Sequence, residues 1–265
     1  MEELRNSARE RLEKGELSLG LGLRHMRAVE IAKAAKTAGF DWLFIDLEHN
    51  SMSIETAQQI AVTALDVGIA PLVRVPAGEH ALALRLLTGG ALGTVMPHVE
   101  SAEEARAIVA EQKYAPLGHR GSSGVMPHFN FQRVNSEQAT RMLNEKSLVV
   151  VMLESPAAIA RADEIAAVEG VDVLMIGTGD LTTTLGIHGQ ADHPDIVTAY
   201  EQVTAACAKH GKWAGTGGIG SGDIVARYVD MGVQFILAGS DLNFMIQAAS
   251  TRTAYFRDLR VDTAG

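Results

Sequence analysis

Short apolar runs alternate with amphipathic stretches along the whole chain. The runs are nearly continuous in apolar residues, which is typical of parallel strands buried on both faces. They cover 17–22, 41–46, 70–75, 93–97, 148–153, 172–177, 212–216 and 234–238. Strand–helix alternation repeated eight times predicts one α/β domain over residues 1–265, a single (β/α)₈ TIM barrel.

Helical periodicity fills the segments between the runs. Apolar residues recur at helical spacing over Arg27–Thr37, Ile54–Asp66 and Ser101–Glu111. The charged N-terminus predicts a further helix over about residues 1–15. Ser101 followed three residues later by Glu104 predicts a capping box, in which each side chain bonds the backbone N–H of the other residue.

The interval between the fourth and fifth runs is the longest, at about fifty residues. Its middle, GHRGSSGVMPHFNFQ, is rich in glycine, serine, histidine and aromatic residues. Long loops in compact domains are usually functional or disordered. We therefore treat this segment as a candidate functional loop.

Composition narrows the class of protein. The chain has 265 residues and a net charge of −9, which argues against nucleic acid as a partner. Its single cysteine, Cys207, excludes internal disulfides and thiolate metal clusters. The N-terminal stretch MEELRNSARERLEKGE has no apolar core, and no apolar run approaches the roughly 20 residues that span a bilayer. These features predict a cytoplasmic protein that does not enter a membrane.

Polar side chains collect where the predicted strands end. In barrels of this kind the active site lies at the C-terminal ends of the strands. The polar residues there are Asp46, Glu48, His49, Arg74, Glu154, Gly177–Asp180, Ser240 and Asp241. The N-terminal ends carry no comparable set, so we expect the site at the C-terminal face.

Two carboxylates are the candidate metal ligands. Glu154 and Asp180 follow neighbouring strands, which lie about 4.8 Å apart in a sheet. Carboxylates this close repel unless a cation lies between them, and oxygen ligands suit Mg²⁺ or Mn²⁺ better than Zn²⁺ or Co²⁺, which stay possible. The structural alternative is that both acids cap the following helices.

A buried cation and an acid–histidine pair complete the candidate chemistry. Arg74 ends an apolar strand, so its guanidinium needs an anion, either a core carboxylate or a substrate oxyanion. Asp46 and His49 are separated by two residues, and a carboxylate that orients a histidine makes a general base. Such a pair on its own is a weak signal.

A lysine at a C-terminal strand end is missing from the sequence. The lysines are Lys14, Lys33, Lys36, Lys113, Lys146, Lys209 and Lys212. None follows a predicted strand, whereas a Schiff-base aldolase needs a buried lysine in the barrel. Any aldol chemistry is therefore expected to depend on a metal.

Taken in order, the motifs resemble the HpcH/HpaI aldolase/citrate lyase family, in its class II pyruvate aldolase branch. The resemblance covers about residues 15–260 and rests on FDWLFIDLEHNSMS, PLVRVP, GHRGSSG, VVVMLESPAAI, VDVLMIGTGDLTTTLG and LAGSD. It implies a metal held by Glu154 and Asp180. It also implies that Arg74 binds substrate and that Asp46 and His49 form the catalytic pair.

The resemblance also implies substrate contacts from two loops. Backbone amides at Gly177, Thr178 and Gly179 would hold the substrate carboxylate, and Arg120 of the G-x-R-G stretch would bind substrate. The chain departs from several relatives in having Met152 where they carry glutamine, and in a turn that reads Gly-Thr-Gly-Asp-Leu. These departures concern substrate preference more than reaction type.

The implied activity is cleavage of 4-hydroxy-2-oxo acids to pyruvate and an aldehyde, and the reverse addition, through a pyruvate enolate held at the metal. The family likeness further implies a homo-oligomer, a hexamer built as a trimer of dimers. Four alternatives stay open: a CoA-ester lyase, an oxaloacetate decarboxylase or enolate-coupling enzyme, a metal-independent phosphate-binding isomerase, and a non-enzymatic carboxylate-binding barrel.

Overall fold

Eight parallel strands close into a barrel in a computed structural model that describes residues 4–220 and 222–259. Neighbours in the barrel are neighbours in the sequence, and the last strand pairs with the first. The strands are β1 Ser18–Leu23, β2 Trp42–Asp46, β3 Ala70–Arg74, β4 Gly93–Met96, β5 Leu148–Leu153, β6 Val173–Gly177, β7 Trp213–Gly217 and β8 Val233–Ser240. This topology confirms the predicted (β/α)₈ TIM barrel.

Helices surround the barrel and cover its outer face. They are α1 Ser7–Glu13, α2 Ile31–Thr37, α3 Ile54–Val67, α4 His80–Thr88, α5 Ala102–Gln112, α6 Ser136–Lys146, α7 Pro156–Ala160, α8 Ala162–Ala166, α9 Thr178–Thr184, α10 Pro194–His210, α11 Gly222–Asp230 and α12 Asp241–Arg257, with a short 3₁₀ helix at Pro127–Phe129. Within residues 4–220 and 222–259, no helix has the length and apolar character needed to cross a bilayer.

Two helix starts differ from the sequence prediction. Helix α2 begins at Ile31 rather than Arg27, because the chain just before it is held at the barrel mouth by hydrogen bonds to the Asp241 carboxylate. The predicted N-terminal helix is Ser7–Glu13, and the residues 1–3 of that prediction lie outside the described chain.

The predicted capping box of α5 is half formed. The Ser101 hydroxyl accepts a hydrogen bond from the backbone N–H of Glu104 at 3.1 Å, as predicted. The Glu104 carboxylate accepts instead from the backbone N–H of Glu100, at 2.9 Å. The helix therefore has its serine cap without the reciprocal bond.

The N-terminal end of the barrel is sealed by apolar side chains. Trp42 and Phe235 stack inside it with ring centroids 4.0 Å apart, and α1 packs Ala8 and Leu12 into the same apolar cluster. Asn6 caps α1 and donates two hydrogen bonds to backbone carbonyls at this end. Among the described residues this packing closes the N-terminal end, so we expect the site at the C-terminal end of the strands.

Candidate active site

Asp46 and Arg74 form a buried pair at the C-terminal end of the barrel. They are the last residues of β2 and β3, and the strand register places them side by side. Arg74 Nε and Nη2 donate to Asp46 Oδ1 and Oδ2 at 2.9 and 2.7 Å. Burial raises the pKa of Asp46, but the hydrogen bonds and charge of Arg74, with the N–H groups of Glu48 and His49, outweigh it and leave that pKa below its ordinary value. The pair is therefore ionised and rigid.

The predicted contact between Asp46 and the His49 ring is not observed. From His49, Asp46 accepts the backbone N–H alone, at 3.4 Å, because Arg74 occupies its carboxylate. The acid closest to the half-exposed His49 ring is Glu48, with Oε2 3.6 Å from Nε2. Glu48 is thus the acid nearest the His49 ring, beyond hydrogen-bond distance, and the predicted pairing of the ring with Asp46 is wrong.

Glu48 lies between Arg74 and His98. Its Oε2 lies 3.0 Å from Arg74 Nη1, and its Oε1 lies 3.9 Å from the Nε2 atom of His98. Glu48 Oε2 is buried and accepts no hydrogen bond from the part of the chain that the structure describes. Arg74 is therefore paired with two acids, with Asp46 through Nε and Nη2 and with Glu48 through Nη1.

His98 is a site residue that the sequence did not reveal. It follows β4 after one proline and has a φ of 54°, a left-handed conformation that is costly for a residue with a Cβ atom. Its backbone N–H donates to Glu154 Oε2 at 2.8 Å, and its Nδ1 lies 3.2 Å from the same oxygen. The sequence does show a histidine at the end of a predicted strand, and that was the available signal. The strained backbone conformation cannot be recognised from the sequence.

Glu154 directly follows β5 and is 4% exposed. Its Oε2 is held by His98, whereas its Oε1 is buried and finds no hydrogen-bond partner among the described residues. Burial raises the pKa of Glu154 to about 7, against the N–H group and charge of His98 and with a further increase from Asp180. A nearby cation would satisfy Oε1 and offset this cost.

Gly177, the last residue of β6, makes room for that carboxylate. A Cβ atom at this position would lie 2.4 Å from Glu154 Oε1. The strand register explains the contact, because Leu153 pairs with Ile176 and the next residues therefore lie together. The vacant side of Oε1 thus opens toward the turn that begins α9.

Asp180 lies in the first turn of α9, three residues beyond β6, rather than at the strand end. It is exposed, and its charge acts on Glu154. Within the described ranges, no three histidine, cysteine or acidic side chains converge in metal-binding geometry. The protein can therefore offer two carboxylates, with water or substrate oxygens completing the shell. This donor set fits a hard divalent cation.

The turn after β6 leaves its backbone amides accessible to a ligand. The Thr178 hydroxyl is bonded to the Tyr200 hydroxyl at 2.7 Å, so only the backbone of Thr178 is available. Gly179 has open space around the position of a Cβ atom. Gly218 on the loop after β7 has a φ of +83°, and a side chain there would approach the Gly179 nitrogen to 3.0 Å. Glycine at both positions keeps that amide open.

The structure does not bring Arg120 to the site, which corrects its predicted substrate contact within one chain. Its backbone N–H donates to Lys113, whose ammonium donates to the Ser147 carbonyl just before β5. The Arg120 guanidinium lies 4.7 Å from the Tyr114 ring centroid. The segment from Lys113 to Arg120 therefore runs at the N-terminal end of the barrel.

Lys113 is the buried lysine of the described chain, and it lies at the wrong end for Schiff-base chemistry. Burial lowers its pKa, and its ammonium donates to the carbonyls of Asn144 and Ser147. Those bonds give it a structural role.

The chain is similar to proteins of known activity over nearly its whole length. It is 36% identical to 4-hydroxy-4-methyl-2-oxoglutarate aldolase of Hapsidospora irregularis, over 94% of this chain and 93% of that protein. It is 32% identical to 2-keto-3-deoxy-L-rhamnonate aldolase of Escherichia coli K12, over 96% and 94% of the two chains. The crystal structure of an HpcH/HpaI aldolase from Desulfitobacterium hafniense DCB-2 superposes with a TM-score of 0.90 at 29% identity, covering 97% and 98%.

The family model of HpcH/HpaI aldolase/citrate lyase matches residues 26–248. That range includes the Asp46–Arg74 pair, His98, Glu154 and the turn after β6. The match to the family model and the identity to its curated members therefore lead to one conclusion: this chain belongs to the HpcH/HpaI aldolase/citrate lyase family.

Proposed function

We propose that this chain is a carbon–carbon lyase, a metal-dependent aldolase that cleaves 4-hydroxy-2-oxo acids to pyruvate and an oxo compound and catalyses the reverse addition. Its relatives support the reaction class, because those named above are aldolases of such acids. The observation that carries the proposal is the buried, unpartnered Oε1 of Glu154, which lies beside the charge of Asp180 and within the field of Arg74.

Glu154 and Asp180 would hold the divalent ion, with Mg²⁺ or Mn²⁺ preferred for an all-oxygen set. When bound, the ion supplies Lewis-acid polarisation of the 2-oxo group and stabilises negative charge that develops there. The Glu154 side chain needs no rearrangement for this role, because His98 already fixes its other oxygen.

The protein's own groups would orient the substrate and move its proton. The amides of Gly177, Thr178 and Gly179 would bind the carboxylate of the pyruvate half. His49, whose ring lies near Glu48, would accept the proton of the 4-hydroxyl as the C3–C4 bond breaks. The electron pair of that bond becomes the enolate of pyruvate, whose oxygen the Arg74 guanidinium would stabilise.

Asp46 serves this chemistry indirectly. Because it binds Arg74 through both oxygens, it holds the guanidinium at one angle, with Nη1 beside Glu48. We assign Asp46 the role of a positioning residue for Arg74 rather than for His49.

A homo-oligomer is part of the proposal. Helix α12 buries only Asp241, and it exposes the large apolar side chains Phe244, Met245, Ile246, Tyr255 and Phe256. An apolar groove between α11 and the first and last strands is lined by Leu19, Val225 and Ile236. Exchange of α12 between two copies would cover both surfaces. Assembly of such dimers into a hexamer stays a prediction.

The test is aldol turnover of the metal-free protein. Protein treated with EDTA and then desalted should be inactive with pyruvate and an aldehyde, and Mg²⁺, Mn²⁺, Co²⁺ or Zn²⁺ should restore activity to different extents. Glu154→Gln should abolish the recovery, because it removes the ligand charge while keeping the shape. Full aldol activity without metal would refute the proposed metal dependence, and turnover that requires CoA would favour the CoA-ester lyase.

A further inference from the structure

Arg24 occupies a fixed position at the mouth of the barrel. It is the first residue after β1, and its backbone N–H donates to the carboxylate of Asp241 at 3.2 Å. The same buried carboxylate accepts the backbone N–H groups of His25 at 2.9 Å and Met26 at 2.7 Å. Three successive N–H groups on one carboxylate restrain this loop, so the backbone of Arg24 is held at the barrel mouth.

The N–H groups of the Arg24 guanidinium are available to a ligand. Its Nε lies 3.7 Å from Asp46 Oδ2, and its side chain is 47% exposed. Asp46 already binds Arg74 at 2.7 and 2.9 Å, so the longer contact to Arg24 is not a hydrogen bond. Arg24 donates no side-chain hydrogen bond to any residue that the structure describes. An exposed ion pair of this kind contributes little to stability.

The position of Arg24 relative to the metal ligands identifies which part of a substrate it would meet. Glu154 follows β5, which lies across an eight-stranded barrel from β1, and the Asp46–Arg74 pair lies between them. In the proposed function the pyruvate half lies against Glu154 and the turn after β6. The half that leaves as the oxo compound then extends toward β1, where Arg24 presents a planar set of N–H donors.

We infer that Arg24 binds a carboxylate on the half of the substrate that is not pyruvate. The chain would then prefer dicarboxylic 4-hydroxy-2-oxo acids, which form when pyruvate adds to an oxo acid, over products of neutral aldehydes. In the simplest case, C3 of pyruvate bonds to the aldehyde carbon of glyoxylate, and the pyruvate proton balances the new hydroxyl. This inference rests on the proposed function and adds a specificity-determining residue to it.

Glyoxylate and glycolaldehyde are matched probes, because both are two-carbon aldehydes and only glyoxylate carries a carboxylate. The measurement is kcat/KM for each acceptor at saturating pyruvate and Mn²⁺. We expect wild-type protein to prefer glyoxylate. In Arg24→Ala the ratio of the two kcat/KM values should fall about 10- to 100-fold, mainly through the KM of glyoxylate, as for loss of a charge-assisted hydrogen bond. Arg24→Lys should retain part of the preference.

Arg27→Ala is the control, because it removes the same charge from the same loop. Arg27 bonds the Arg24 carbonyl at 2.9 Å and lies beside Ser51, away from Asp46. In Arg27→Ala the ratio of the two kcat/KM values should stay within about threefold of wild type, the size of a screened surface charge effect. An unchanged ratio in Arg24→Ala, an equal fall in Arg27→Ala, or equal losses for both acceptors would overturn the inference.

Exchange of the pyruvate methyl protons in D₂O separates this inference from the proposed function. The exchange reports enolate formation in the wild-type protein without any acceptor. If wild-type protein with Mn²⁺ shows exchange but the acceptor ratio does not depend on Arg24, only the inference fails. If it shows neither exchange nor aldol product, the proposed function fails and the inference fails with it.

Discussion

Gly177→Ala should damage metal binding without touching a metal ligand. The new Cβ atom would lie 2.4 Å from Glu154 Oε1 and 2.6 Å from its Cγ, where ordinary contacts begin at 3.4 Å. The Glu154 carboxylate must therefore retreat by about 1 Å. Metal–ligand distances tolerate only about 0.2 Å, so Oε1 would leave the coordination shell. We expect the affinity for Mn²⁺ to fall about 10- to 100-fold.

The assay is titration of metal-free protein with Mn²⁺, followed by electron paramagnetic resonance of the free ion. The matched control is Gly220→Ala, since a Cβ atom there has no neighbour within 4 Å. Its affinity should equal that of the wild type. Wild-type affinity in Gly177→Ala would refute the assignment of Glu154 Oε1 as a ligand, because that oxygen would have moved without consequence.

The other predictions concern the base, the enolate cation, the strained histidine and the sealed end of the barrel. His49→Ala should lower aldol cleavage by at least about 100-fold but largely spare decarboxylation of oxaloacetate, which has no hydroxyl proton to remove. Equal losses in the two assays would withdraw the base role. Arg74→Lys should lower both rates by about 100-fold, and a full rate in either assay would contradict its role. His98→Gly should raise the free energy of unfolding by about 1 kcal/mol in urea titrations while weakening Mn²⁺ binding; a fall in both quantities would show that the side chain stabilises the fold. Asn6→Ala should lower the free energy of unfolding by about 2 to 3 kcal/mol, because it removes the cap of α1 and the two hydrogen bonds that the Asn6 amide donates to backbone carbonyls; the exposed cap Asn135→Ala is the control, at about 1 kcal/mol.

The strands could be predicted because each is buried on both faces and therefore nearly continuous in apolar residues. Predicted and observed ends differ by two residues at most, at the end of β8, where the prediction stops at 238 and the strand at Ser240. The start of α2 could not be predicted, because it depends on hydrogen bonds to Asp241, a residue more than two hundred positions away.

The candidate site was predictable as a set of residues and less so as a set of contacts. Strand ends identified Asp46, Arg74 and Glu154, since the C-terminal ends of parallel strands meet at one face. Which acid pairs with Arg74 follows from the register of β2 and β3, and a short spacing such as Asp46-x-x-His49 carries no information on register. Arg120 was misplaced for a related reason: the course of a long connection is not encoded in local periodicity.

The Asp241 carboxylate also has a consequence for how the chain is made. It joins residues 217 positions apart, at the seam where β8 meets β1. Closing a flexible chain of that length costs about 5 kcal/mol in entropy, and during synthesis β8 emerges last. Until then β1 presents an open row of N–H and C=O groups, the kind of edge at which chains aggregate. The hydrogen bonds from the loop after β1 to Asp241 therefore form at the stage when β8 covers the open edge of β1 and this route to aggregation closes.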